Sequence, residues 1–130
     1  MQDFHTKLQL KNLSSLVLVN APKPQAEALR TQLPLVEVSA HTGEKVPALM
    51  VFVNNRAELQ ALMARVPEWL QEGGLLWVAY PKTAAQGGTD INRDSLWKVI
   101  EPLGWRPVRQ IALDEVWSAL RFTPGKSNLI

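Results

Sequence analysis

Three short, uninterrupted runs of apolar residues constrain the fold of this 130-residue chain more than any other feature. They occupy residues 16–19, 48–53 and 75–80, and none of them alternates between apolar and polar side chains. Such runs are typical of strands that are covered on both faces, as in a parallel sheet. Residues 22–33 and the stretch from Arg56 onward carry apolar side chains at helical spacing between the runs. This alternation predicts a mostly parallel sheet with right-handed crossovers.

Proline, glycine and aspartate mark the expected helix boundaries. Pro67 should split the helix that follows the second apolar run, near Arg65, because proline interrupts helical hydrogen bonding. The pair Gly73-Gly74 is expected to stop that helix. A further helix is predicted to begin with Asp90 as its N-cap and to end at Gly104.

The remaining apolar segments complete a three-layer, Rossmann-like α/β fold. Residues 35–39 predict a second short strand. Residues 108–113 and 116–122 predict two strands with almost no chain between them, which forces an antiparallel hairpin. We expect residues 1–123 to form one α/β domain and residues 124–130 to form a flexible tail.

Composition excludes several classes of function. The chain has no cysteine, so disulfides, zinc–cysteine sites and thiol nucleophiles are excluded, and a cytoplasmic location is expected. Residues 1–5 lack the features of a signal peptide, and the apolar runs are far shorter than the roughly 20 residues of a membrane span. The net charge is +2, and no dense basic stripe of the kind found in nucleic-acid-binding proteins is present.

The order of elements resembles the class I S-adenosylmethionine-dependent methyltransferase fold, a parallel sheet closed by an antiparallel last strand. The lead-in Lys7-Leu8-Gln9-Leu10-Lys11 is similar to that before the family's first strand. The run Leu70-Gln71-Glu72-Gly73-Gly74-Leu75-Leu76 resembles the L-x-x-G-G-x-L approach to its fifth strand. On this resemblance, one helix and one strand between the second and fourth strands of the family are missing here.

The chain also resembles, along nearly its whole length, a small bacterial family described only as a domain of unknown function. That family lends no established activity. The residues that carry this likeness are Leu18-Val19-Asn20-Ala21-Pro22, Leu75-Leu76-Trp77-Val78-Ala79-Tyr80-Pro81-Lys82, Thr89-Asp90 and Asp114-Glu115-Val116-Trp117-Ser118-Ala119-Leu120-Arg121-Phe122.

The turn after the first strand departs from the methyltransferase pattern. The family implies a glycine-rich turn here, which lets the backbone approach the cofactor, and an acidic residue on the second strand for the ribose. This chain has Asn20-Ala21-Pro22-Lys23-Pro24, with no glycine and two prolines that offer no N–H. Glu37 is the acidic residue in the second strand. We therefore expect no cofactor and no methyl transfer.

Ligands of open α/β sheets bind beyond the carboxyl ends of the parallel strands. Polar side chains from residues 20–23, 54–56 and 80–93 are expected at that edge. Arg56 and the N-termini of the helices add positive charge there. They predict a site for a phosphate, a carboxylate or a small nucleotide. The alternative is ordinary solvated lysine and arginine near helix caps, with Asp90 acting only as an N-cap. The candidate ligand-binding residues are Asn20, Lys23, Tyr80, Lys82, Asp90 and Arg93.

Serine hydrolase and metal chemistry are not favoured. Ser118 and Arg121 lie three apart on a strand and therefore point to opposite faces, and the face shared by Ser118, Leu120 and Phe122 is expected to be the core side. The two histidines, His5 and His41, lack the spacing of a metal motif or of a triad. Asp90 and Asp94 lie one helical turn apart, which is more typical of a solvated helix start than of a magnesium site.

Three functional hypotheses remain open. The leading one is a non-catalytic, methyltransferase-like domain that binds a small ligand or a protein in the bacterial cytoplasm. The second is a small enzyme acting on an anionic metabolite, with Lys82, Asp90 and Arg93 at its site. The third is a homodimer that associates through one of the five tryptophans, which are otherwise expected at the edge of the core.

Overall fold

A single six-stranded sheet organises the computed structural model, which describes residues 15–33, 36–40, 43–81 and 93–124. Its strand order is β2-β1-β3-β4-β6-β5. β1 to β4 are mutually parallel, and β6 runs antiparallel to both of its neighbours, β4 and β5. The predicted mostly parallel sheet with a terminal hairpin is confirmed. The strands are β1 (Ser15–Val19), β2 (Glu37–Ala40), β3 (Val46–Phe52), β4 (Leu70–Pro81), β5 (Trp105–Ala112) and β6 (Trp117–Pro124).

The helices lie on both faces of the sheet and give the three predicted layers. α1 buries Leu29 in the apolar cluster on one face. α2, α3 and α4 bury Leu59, Val66 and Leu96 in a second cluster on the other face. The helices are α1 (Lys23–Gln32), α2 (Arg56–Met63), α3 (Val66–Trp69) and α4 (Arg93–Ile100), with a 3-10 turn at Glu101–Leu103.

The connection from β2 to β3 is too short for another strand and helix. It spans only residues 41–45, whereas a crossover to a parallel strand through a helix needs a dozen residues or more. This agrees with the expected loss of one strand and one helix relative to the methyltransferase pattern.

Both faces of β6 are buried, although only one was expected to be core. Leu120 and Phe122 pack in the cluster around α2 and α4, as their spacing predicts. Trp117 and Ala119 on the opposite face are buried in the cluster around α1. The reason is the strand order, since β6 lies inside the sheet between β4 and β5 rather than at its edge.

The glycine pair does not stop a helix, which corrects the sequence expectation. The helix ends at Trp69, and β4 begins at Leu70 and runs through both glycines. Pairing shifts there from Val46 opposite Leu70 to Ala48 opposite Leu75, so the glycines form an irregular part of the strand. Pro67 does split the helical region as predicted, because α2 ends at Met63 and α3 restarts at Val66.

Gly104 has a φ of 96° and follows the 3-10 turn, as expected for a glycine that ends a helical segment. Asp90 lies outside the described residues, as do residues 125–130 of the predicted tail. In the part of the chain that is described, none of the helices has the length and apolar character needed to cross a membrane.

Candidate ligand-binding site

Asn20 ties together the ends of two strands at the carboxyl edge of the sheet. Its backbone adopts a positive φ of 64°, a conformation that asparagine tolerates better than most residues. Its side-chain nitrogen donates to the carbonyl oxygen of Phe52 at 2.9 Å and to Oε1 of Glu58 at 3.2 Å. The side-chain amide of Asn20 therefore joins the end of β1 to the end of β3 and to the first turn of α2.

Glu58 is a structural acceptor at this edge that the sequence analysis missed. Its Oε1 also accepts from the backbone nitrogen of Asn54 at 2.8 Å and from Asn54 Nδ2 at 3.1 Å. Asn55 caps α2, since its Oδ1 accepts from the backbone nitrogen of Glu58 at 2.9 Å. The sequence signal was available, because asparagine followed three residues later by glutamate marks a capped helix start.

The first turn of α1 is poor in hydrogen-bond donors. Pro22 is its N-cap and makes no side-chain cap bond, and Pro24 lies within the first turn. Neither proline has an N–H, so two of the four backbone donors normally available at a helix start are missing. Lys23 and Gln25 retain theirs, and the Lys23 side chain is exposed.

The hairpin tip, residues 113–117, packs beside this turn. Trp117 lies opposite Pro81 at the end of β4, and its ring meets Phe52 edge-on with centroids 5.3 Å apart at 66°. Leu113 and Trp117 belong to one buried cluster, against which the partly buried Ala21 of the turn packs. We use the term carboxyl-edge corner for the space between residues 20–24, the end of β3 and the end of β4. The tip therefore places the apolar side chain of Trp117 at this corner, against Phe52.

Asp114 holds the tip in shape and links it to α1. Its Oδ1 accepts from the backbone nitrogens of Val116 and Trp117, both at 2.7 Å. Its Oδ2 accepts from Nε2 of Gln25 at 3.0 Å. The hairpin is therefore fastened to the start of the helix that would face a cofactor in a glycine-turn protein.

Glu37 lies at the wrong end of β2 for a ribose contact, which corrects the expectation for it. It is the first residue of the strand, paired with Ser15 at the start of β1. The strand ends at Ala40. Because β2 begins two residues later than the sequence suggested, its carboxyl end presents Ser39 and Ala40 in place of a carboxylate.

The other predicted site residues are dispersed or lie outside the described part. Tyr80 is 3% exposed, and its hydroxyl accepts from Gln110 Nε2 at 3.1 Å, in the cluster on the face away from α1. Arg93 begins α4, in that same layer. Lys82 and Asp90 lie outside the described residues. The ligand site itself therefore stays a prediction.

Lys23 and Arg56 lie in different helical layers, one on each face of the sheet. They begin α1 and α2, which pack on opposite faces of the sheet, although both helices start at the carboxyl edge. Within the described residues, no three His, Cys, Asp or Glu side chains are grouped in a way that could hold a metal ion.

The chain is similar to known proteins in its structure and not in its sequence. No protein-family model and no curated protein matches the sequence. A ribosomal protein L11 methylase from Lactobacillus delbrueckii subsp. bulgaricus aligns with a TM-score of 0.50 and 10% identity over 86% of this chain, which spans 58% of that protein.

Two further solved structures align over 95% of this chain. A putative type 11 methyltransferase from Sulfolobus solfataricus has a TM-score of 0.52, 9% identity and 79% of its own length covered. DhpI, solved as a complex with SAH, has a TM-score of 0.53, 15% identity and 72% of its length covered. Identities this low carry information about architecture only, and they establish that the chain has a Rossmann-like, methyltransferase-type fold.

Proposed function

We propose that this chain is a non-catalytic methyltransferase-like domain that acts as a binding or interaction module. The observation that carries the proposal is the hairpin tip in the carboxyl-edge corner, with Trp117 against Phe52. In folds of this kind the corner beyond the carboxyl ends of the strands is where a ligand binds. A corner lined by packed apolar side chains has little room for an adenosyl group.

The backbone at the turn supports the same proposal. A cofactor there needs a glycine-rich turn for close approach and N–H groups at the helix start. This turn contains Pro22 and Pro24 and has no glycine. The side-chain amide of Asn20 is held by Phe52 and Glu58 rather than directed to a ligand. We also propose that the chain belongs to the small bacterial family it resembles and works in the cytoplasm.

A thermal-shift series tests the non-catalytic proposal. A ligand present at 100 times its Kd stabilises a folded protein by about 2.7 kcal/mol, which is readily visible as a higher melting midpoint. We expect S-adenosylmethionine and S-adenosylhomocysteine to leave the midpoint unchanged at millimolar concentration. A saturable rise with either compound would argue against the proposal.

The alternative is a small enzyme or binding protein for an anionic metabolite at the same edge. α1 and α2 both begin there, and the exposed Lys23 adds charge, which favours anions. The proposed contacts are Asn20, Lys23, Tyr80, Lys82, Asp90 and Arg93. If a phosphorylated metabolite raises the melting midpoint, Lys82→Ala should abolish the rise and Lys45→Ala, a lysine bonded to the Pro67 carbonyl, should preserve it. Equal loss in both variants would remove this alternative.

Self-association through Trp97 is the third candidate. Trp97 on α4 is 44% exposed and Leu103 in the following 3-10 turn is 51% exposed. Exposed tryptophan is typical of interfaces. We expect sedimentation to detect a dimer that Trp97→Gln weakens and that Val108→Thr, at an exposed apolar residue of the edge strand, leaves intact. A strictly monomeric wild-type protein at high concentration would exclude this candidate.

A further inference from the structure

An open groove lies between α2 and the C-terminal end of α4, with a volume of about 360 Å³. The small Ala64, which follows α2, lines one side of it. The other side carries the apolar side chains of Val99, Pro102 and Leu103, together with Lys98. Ligand pockets span roughly 300–1,000 Å³, so this groove has room for one large side chain.

The exposed side of α4 presents an apolar side chain, two charges and the groove in sequence around the helix. Leu96 and Ile100 are fully buried and define its inner side. Each residue of an α-helix is rotated by about 100° from the one before, which places Trp97 about 100° and Val99 about 300° from Leu96. The tighter 3-10 turn, with about 120° per residue, leaves the order unchanged. From one edge of the exposed side to the other, the order is Trp97, Glu101, Lys98, Pro102 and Val99.

This order is complementary to itself. Two copies of α4 can face each other across a two-fold axis that runs along the helices and passes over the boundary between Glu101 and Lys98. Each position then meets the position on the other side of that boundary in the second copy. Trp97 of one copy faces the groove of the other, and Glu101 faces Lys98. Two-fold interfaces have this property, since residue i contacts residue j and residue j contacts residue i.

We propose that a second copy of this chain docks in the groove, with Trp97 of each copy inserted into the other and Glu101 of each copy against Lys98 of the other. The proposal rests on self-association through Trp97 and names the surface that receives the tryptophan. The exposed indole gains burial against Val99 and Leu103, as do the tryptophans that anchor many interfaces. The opposite charges at the rim fix the relative orientation of the two copies.

Sedimentation equilibrium with the groove filled tests this arrangement. Ala64→Phe places a ring in the groove and leaves Trp97 unchanged. We expect it to weaken dimerisation at least tenfold. Ala28→Phe makes the same change at an exposed alanine of α1, on the opposite face of the sheet, and should dimerise like wild type. Because a single helix and groove form a small interface, protein concentrations up to about 1 mM are needed.

Exchange of the rim charges tests the orientation of the two copies. Lys98→Glu and Glu101→Lys each place like charges opposite each other twice in the dimer, and each should weaken it at least fivefold. The double variant restores opposite charges and should dimerise within about twofold of wild type. Glu27→Lys, at an exposed position of α1, is the control for the charge change and should have no effect.

The results separate the groove from self-association as such. A dimer that Trp97→Gln weakens, but that Ala64→Phe and the charge variants leave intact, would reject the groove and retain self-association. A wild-type protein that stays monomeric up to about 1 mM would reject both. If Ala64→Phe does not fold, the charge exchange decides alone. Failure of the double variant to recover would then reject the proposed arrangement.

Discussion

Asn20 combines two properties that a ligand contact does not require. It occupies a left-handed backbone conformation, and its amide joins β1 to β3 through the Phe52 carbonyl. Replacing it with alanine removes the hydrogen bond and places a Cβ in an unfavourable conformation. We expect Asn20→Ala to lower the free energy of unfolding by about 2 kcal/mol, as measured by urea denaturation.

Asn20→Gly is the matched control for that change. Glycine lacks the amide but tolerates the positive φ, so about half of the loss should be recovered. If alanine and glycine destabilise equally, backbone strain at residue 20 is unimportant. If neither destabilises the protein, the tie to Phe52 contributes nothing and Asn20 would be available for a ligand.

Gly74 is required for close packing inside β4. A Cβ built on it would lie 2.6 Å from Cδ1 of Leu70 and 2.8 Å from the carbonyl oxygen of Gln71. Neighbouring Gly73 has open space but a φ of 78°. We expect Gly74→Ala to lower the thermal midpoint more than Gly73→Ala, with losses of about 2–3 and 1 kcal/mol. The reverse order would mean that conformational strain outweighs the contact with Leu70.

The residue-level predictions from sequence were limited by contacts between distant positions. A polar residue at the end of a buried strand suggested a ligand contact for Asn20, but its acceptor lies 32 residues away on Phe52. Glu37 was identified only as the acidic residue within the second strand, and its place at the start of β2 became clear from its pairing with Ser15.

At the scale of elements, the hairpin tip depends on one carboxylate. Asp114 accepts two backbone hydrogen bonds within the tip and one from Gln25 of α1. We expect Asp114→Ala to cost about 1–2 kcal/mol and to speed hydrogen exchange at the amides of Val116 and Trp117. Glu115→Ala, at the adjacent exposed position, should leave their exchange unchanged. Equal protection in both variants would show that the tip is held by apolar packing alone.

The predicted element boundary was right where a proline determined it and wrong where a pair of glycines allowed two interpretations. Pro67 correctly predicted the break between α2 and α3, because the N–H that proline lacks interrupts hydrogen bonding within the same helix. The Gly73-Gly74 pair is compatible with a helix end or an irregular strand. The segment is a strand because it pairs with β3, a distant part of the chain.

At the scale of the whole molecule, connectivity was predictable because few topologies are allowed. Strand–helix alternation, right-handed crossovers and a forced hairpin restrict the possible topologies, although they did not predict that β6 lies between β4 and β5. The packing of the hairpin tip against α1 could not be predicted. That placement depends on the contact between Trp117 and Phe52, which lie on β6 and β3 and come together only in the folded sheet.

Equilibrium dialysis with radiolabelled S-adenosylmethionine tests the central claim most directly, namely that the carboxyl-edge corner is closed to a cofactor. With protein at about 100 µM, the labelled compound should distribute equally across the membrane, because any Kd at or below that concentration would retain it measurably on the protein side. Retention of one labelled molecule per chain, displaced by unlabelled S-adenosylhomocysteine, would contradict the account.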